Sequence, residues 1–102
     1  MTIKLVKRPP NGAELRLEGR LDTSTAGAAE TALTKVSGEY TQIELNFSEL
    51  QYISSAGLRV LLKVQKIMNA RGGRLTLAHV SPAIIEVFEM TGFSSILNIE
   101  ND

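Results

Sequence analysis

Residues 41–80, TQIELNFSELQYISSAGLRVLLKVQKIMNARGGRLTLAHV, hold a strand, a helix and a second strand in that order. Ile43, Leu45 and Phe47 alternate with Gln42, Glu44 and Asn46, the period of a strand with one apolar and one wet face. From Ser55 onward the period becomes helical. Val60, Leu61, Val64, Ile67 and Met68 share a core-facing side, while Arg59, Lys63 and Lys66 share the opposite stripe. Leu58 and Leu62 lie between these two directions. Leu62 projects about 60° from the basic stripe, where it either packs on a neighbouring helix or meets a partner. Gly72-Gly73 stops the helix, and Leu75 and Leu77 then share one face of the next strand. A strand, a helix and a further strand imply a crossover and a parallel pair.

The same reading extends to both flanks. Ile3 and Leu5, a PPNG turn at 9–12, then Ala13, Leu15 and Leu17 against Glu14, Arg16 and Glu18, predict a hairpin. Ala26, Ala29, Leu33 and Val36 follow helical spacing, with Thr23 or Ser24 expected as cap and Gly38 as stop. Ser81, Pro82 and Gly92 bound a third helix as cap, first helical residue and terminator. SSILNIEND at 94–102 has room for a short last strand. The order is β-β-α-β-α-β-α-(β). A doubly wound sheet is apolar on both faces of its strands, whereas these strands alternate. The expected class is therefore α/β, a small mixed β-sheet with helices packed on one face.

The totals narrow the possible functions. A chain of 102 residues, 43% of them hydrophobic, fits one domain over 1–102 with a real core. Eleven basic and eleven acidic side chains give zero net charge, which argues against a broad nucleic-acid or membrane-surface footprint. The absence of cysteine excludes disulfides and thiolate metal sites and fits a reducing compartment. No apolar run reaches signal-peptide or membrane-spanning length. A soluble cytoplasmic domain without membrane insertion is expected.

Catalytic chemistry finds little support. His79 is the single histidine and has no carboxylate at ligand spacing, so a structural or exposed place at a strand end is expected for it. ARGGRL at 70–75 has two glycines but neither dinucleotide nor phosphate-loop spacing, and reads as a helix-to-strand turn. No constellation of nucleophile, base and orienting group can be assembled, so neither an enzyme nor a cofactor or metal site is expected. Asp22 stands out because it ends a strand just before a Thr/Ser-rich helix start, where its ordinary task is to accept backbone hydrogen bonds.

Ser54 and Ser55 open the long helix. One serine there is explained as an N-cap, worth ~1 kcal/mol. Two, followed by Ala56 and Gly57, are not, because glycine in a first turn weakens a helix. Gly57 is expected to keep that turn open to close approach by another molecule. A phosphate on either serine would meet unpaired N–H groups and the positive end of the helix dipole, and would change local charge by about −2.

GRLDTSTA at 19–26, IELNFSELQYISSAGLRVLL at 43–62, RGGRLTLAHVSPAIIEVFEMTGF at 71–93 and ILNI at 96–99 resemble the STAS domain of bacterial anti-sigma factor antagonists. The resemblance covers nearly the whole chain. It implies a small mixed sheet with helices on one face, and an unphosphorylated state that binds an anti-sigma factor doubling as a serine kinase. Phosphorylation of a serine at the start of the helix after the third strand ends the interaction, and a serine phosphatase restores it. Laid on this sequence, the phosphorylated serine is Ser55, with Ser54 as the less favoured acceptor, and Gly57 and Leu58 match the Gly-Leu that follows. Asp22 matches the acidic residue of the Gly-x-Leu-Asp segment. Asp22, Ser54, Gly57, Arg59, Leu62 and Lys63 form the implied docking surface. Ser54 stands where the usual pattern has Asp, and the extra C-terminal helix of many relatives is not expected. The alternative is a non-switching STAS accessory subunit of a lipid or anion transport assembly, with the serines as caps only. A nucleotide or small-ligand sensor ranks below both.

Overall fold

The computed structural model describes residues 1–100. The elements are β1 (Thr2–Arg8), β2 (Gly12–Leu21), α1 (Ala26–Glu39), β3 (Gln42–Ile53), α2 (Ser55–Ala70), β4 (Arg74–Ala78), α3 (Pro82–Thr91) and β5 (Ile99–Glu100), with a single 3-10 turn at Phe93–Ser95. This is the expected order; the last two residues of the predicted final strand segment lie outside the described ones. The strands form one sheet in the order β1-β2-β3-β4-β5, β1 antiparallel to β2 and the rest parallel. Crossovers of one hand that all step in the same direction leave their helices on one face. The core accordingly joins Leu15, Leu45 and Leu77 of the strands to Leu33 of α1, Leu61 of α2 and Phe88 of α3. Phe47 and Phe88 meet across it with ring centroids 6.5 Å apart.

β3 runs six residues past the alternating stretch that identified it. Opposite β2 it accommodates two extra residues, one between the Arg16↔Asn46 and Glu18↔Glu49 pairs and one between Gly19↔Leu50 and Arg20↔Tyr52. Each such bulge moves the next inward position from i+2 to i+3. Phe47, Leu50 and Ile53 are all buried for that reason, although three-residue spacing is not a strand period.

The face without helices is wet at its rim but not throughout. Asn46 and Glu14 point to that side, yet both are buried. The Glu14 carboxylate accepts from Asn46 Nδ2 at 2.8 Å and from Arg16 Nε at 3.3 Å, and Arg8 closes on its other oxygen. Chiefly the Asn46 hydrogen bond, then the two arginines, hold this carboxyl below the ordinary glutamate range against the opposing cost of burial.

Two helix boundaries differ from expectation. The N-cap of α1 is Thr25, and no cap bond comes from its side chain; α1 runs through Gly38 to Glu39, with Tyr40 as its C-cap. α3 is bounded as its sequence predicts. Ser81 Oγ accepts from the Ile84 N–H at 3.3 Å, Pro82 follows the cap, and Gly92 takes a left-handed φ of 80°.

Candidate functional site

The carboxyl ends of β2 and β3 deliver the chain to the starts of α1 and α2. The Ser54 N–H donates to the Leu21 carbonyl at 2.9 Å, which ties the start of α2 to the residue preceding Asp22. Crevices at the carboxyl ends of parallel strands are where α/β folds present their functional groups.

The two serines are in different situations. Ser54 is the N-cap: its backbone is extended, and its Oγ accepts from the Gly57 N–H at 3.3 Å. It is half-buried, whereas Ser55, the first helical residue, is exposed. Among the described residues the Ser55 hydroxyl makes no hydrogen bond.

Gly57 does not keep the turn open to a partner, contrary to expectation. It is buried beneath the first turn, and a Cβ there would stand 2.7 Å from Leu21 Cγ, 2.9 Å from Ile53 Cγ1 and 3.0 Å from the Leu21 carbonyl. Its bare α-carbon lets α2 settle against the ends of β2 and β3, so its contribution to any docking surface is indirect.

Asp22 organises the entry to α1. One carboxylate oxygen accepts from the Ser24 N–H at 3.0 Å, the Ser24 hydroxyl at 2.7 Å and the Thr25 N–H at 3.2 Å, while Arg20 Nε lies 3.6 Å from the other. The Ser24 hydroxyl, followed by these backbone donors, lowers the Asp22 pKa and keeps it ionised. Asp22 thus closes the turn that leads into α1, while the N-cap, Thr25, makes no side-chain cap bond.

Of the α2 residues, Arg59 and Lys63 are exposed and Leu62 is half-buried. Lys63 reaches back to Glu30 of α1 at 3.2 Å. Two further groups escaped the sequence reading. Arg20 packs its guanidinium over the Tyr52 ring, 4.2 Å from the centroid, beside Asp22. Their pairing across β2 and β3 depends on the second bulge, which no local pattern reveals. His79 is exposed at the end of β4 with a left-handed φ of 56°.

The arrangement is a surface rather than a pocket. One open cleft of about 360 Å³ lies away from it, over the 8–13 turn and the amino ends of β3 and β4; another of similar volume, between β1 and the start of α1, adjoins it through Ser24 and Thr25. Among the described residues no cluster of His, Asp or Glu is arranged to hold a metal, and no helix is long and apolar enough to cross a membrane.

A family model of the STAS domain matches residues 3–102. The chain belongs to the STAS domain family. BtrV of Bordetella bronchiseptica, a candidate anti-sigma factor antagonist, is 38% identical over 86 residues, covering 83% of this chain and 74% of BtrV. The anti-sigma-B factor antagonist of Bacillus subtilis is 26% identical over 94 residues, covering 92% of this chain and 86% of its own. Among solved structures, the Bacillus cell fate determinant SpoIIAA in its phosphorylated form shares the fold with a TM-score of 0.78 at 23% identity, over 99% of this chain and 91% of SpoIIAA. These STAS relatives are named for a regulatory role and not for catalysis.

Proposed function

We propose that this STAS protein is a cytoplasmic anti-sigma factor antagonist that acts as one domain and is switched by phosphorylation of Ser55. Unphosphorylated, it binds an anti-sigma factor that is also a serine kinase; phosphorylated, it is released until a serine phosphatase resets it. The observation that carries this reading is the contrast within the serine pair. Ser54 is engaged as a cap, and Ser55 is exposed with a hydroxyl that is unbonded among the described residues. In the transfer, Ser55 Oγ forms a bond to the γ-phosphorus of ATP as the bridging P–O bond breaks. ADP leaves, and the hydroxyl proton passes to the kinase. The phosphate then sits at the positive end of α2, where the fold tolerates it while the surface changes by about −2 in charge. The names of the relatives support the antagonist role, and a phosphorylated form of SpoIIAA supports the switch.

The test is phosphate incorporation with the cognate kinase and ATP. Ser55→Ala is expected to abolish incorporation, and Ser54→Ala to retain it at reduced stability. Undiminished incorporation in Ser55→Ala overturns the site, and unchanged partner affinity after phosphorylation overturns the switch.

A further inference from the structure

Charge in this neutral chain is sorted by helix. α2 carries Arg59, Lys63 and Lys66 and no carboxylate, while α3 carries Glu86 and Glu89 and no cation. At helical spacing Ser55, Arg59, Leu62 and Lys66 fall within about 60° of one another. They form one outer stripe about 16 Å long at 1.5 Å per residue. Lys63 is drawn off this stripe toward Glu30. Arg59 and Lys66 are exposed and have no ion pair among the described residues, and half-buried Leu62 lies between them.

We propose that Arg59 is the movable half of the switch: when Ser55 is free it joins Lys66 in holding an acidic face of the partner, and when Ser55 is phosphorylated it turns to the phosphate one helical turn away. This rests on the functional reading above. Unpaired cations on an exposed helix favour an acidic partner and accelerate its approach. Two such cations in a chain of zero net charge are too few for a nucleic acid or an anionic membrane, whose binding grows with the number of basic contacts. Residues four apart on a helix are neighbours, and a phosphoserine–arginine pair is a charge-assisted contact. Phosphorylation thereby removes Arg59 from the partner and brings the stripe from two positive charges to about zero.

The test has two arms. In the first, the purified anti-sigma factor of the same genome is titrated with wild type, Arg59→Gln/Lys66→Gln, Arg59→Lys and, as a lysine in β1 away from the stripe, Lys7→Gln, each checked for native circular dichroism. The double variant is expected to lose about tenfold in affinity and most of the salt dependence of association, while Arg59→Lys and Lys7→Gln stay within about threefold. In the second, phosphoserine is installed at position 55 by codon suppression and titrated by phosphorus NMR. Arg59→Gln is expected to raise the phosphate midpoint toward its ordinary value of about 6, because the neighbouring cation is gone. Wild-type binding with an unaffected double variant overturns this inference alone, as do identical phosphate midpoints with and without Arg59. Absence of wild-type binding overturns the functional reading, and the docking half of this inference with it.

Discussion

The first turns of α1 and α2 follow neighbouring strands, yet they are held in opposite ways. Ahead of α1 the Asp22 carboxylate ties the entry turn by accepting from Ser24 and Thr25, both backbone N–H groups and the Ser24 hydroxyl, and Arg20 pairs with its far oxygen, while the N-cap Thr25 makes no side-chain cap bond. At α2 a single bond from the Gly57 N–H to Ser54 Oγ forms the cap, and Ser55 is left over. Each first turn also contains a glycine. Gly27 faces open space, whereas Gly57 is wedged against Leu21 and Ile53. The entry to α1 is tied by a carboxylate, whereas the start of α2 sets a hydroxyl that is unbonded among the described residues over a tightly seated glycine.

The glycines give the sharpest way to break this comparison. Gly57→Ala is expected to destabilise by about 2 kcal/mol, because overpacking against two strands outweighs a helix-propensity gain of up to ~1 kcal/mol. Gly27→Ala has only the gain and is expected to be neutral or stabilising. Urea midpoints that move the same way in both variants would end the distinction. Next in size is the serine pair: Ser54→Ala is expected to cost ~1 kcal/mol as a lost cap, and Ser55→Ala to stay within about 0.5 kcal/mol. Equal costs would mean that Ser55 also carries structure.

The smallest expected effect is the response to acid. A carboxylate whose pKa is lowered in the folded state stabilises it fully above its unfolded value, and that contribution is lost as pH falls through the folded value. For Asp22 the loss therefore begins below its ordinary 3.8. Hydrogen exchange at the Ser24 and Thr25 amides is expected to speed up there before it does at Gly57, whose serine cap does not titrate. Simultaneous loosening of both starts would show that acid acts globally, as through Glu14, rather than at α1.

Much of this was legible in the sequence, and the exceptions share a cause. The order of elements, the one-sided sheet, the Ser81–Pro82 start and Gly92 stop of α3, and the serine pair at the head of α2 are all written in spacings of a few residues. Asp22 is recognisable as an acceptor, but its bonds to Ser24 and Thr25 extend the entry turn, so α1 starts beyond both hydroxyls expected to cap it, with Thr25 at the N-cap. The role of Gly57 is not legible locally, because the ends of the adjoining strands are what leave no space above its α-carbon. By spacing Lys63 is one cation among three; what sets it apart is Glu30, thirty-three residues away along the chain.

By itself the sequence determined which segments are strands and helices, which sides they bury, and where hydroxyls meet a helix start. Periodicity and capping act within one or two turns, so neighbours along the chain suffice for them. Tertiary structure alone decided that Ser54 is the cap, that β3 bulges twice to bring Tyr52 under Arg20, and that among the described residues the Ser55 hydroxyl is free and Arg59 and Lys66 have no ion pair. Those outcomes depend on which groups stand opposite one another across strands and helices, and proximity in space is set only once the sheet and its layer of helices have packed.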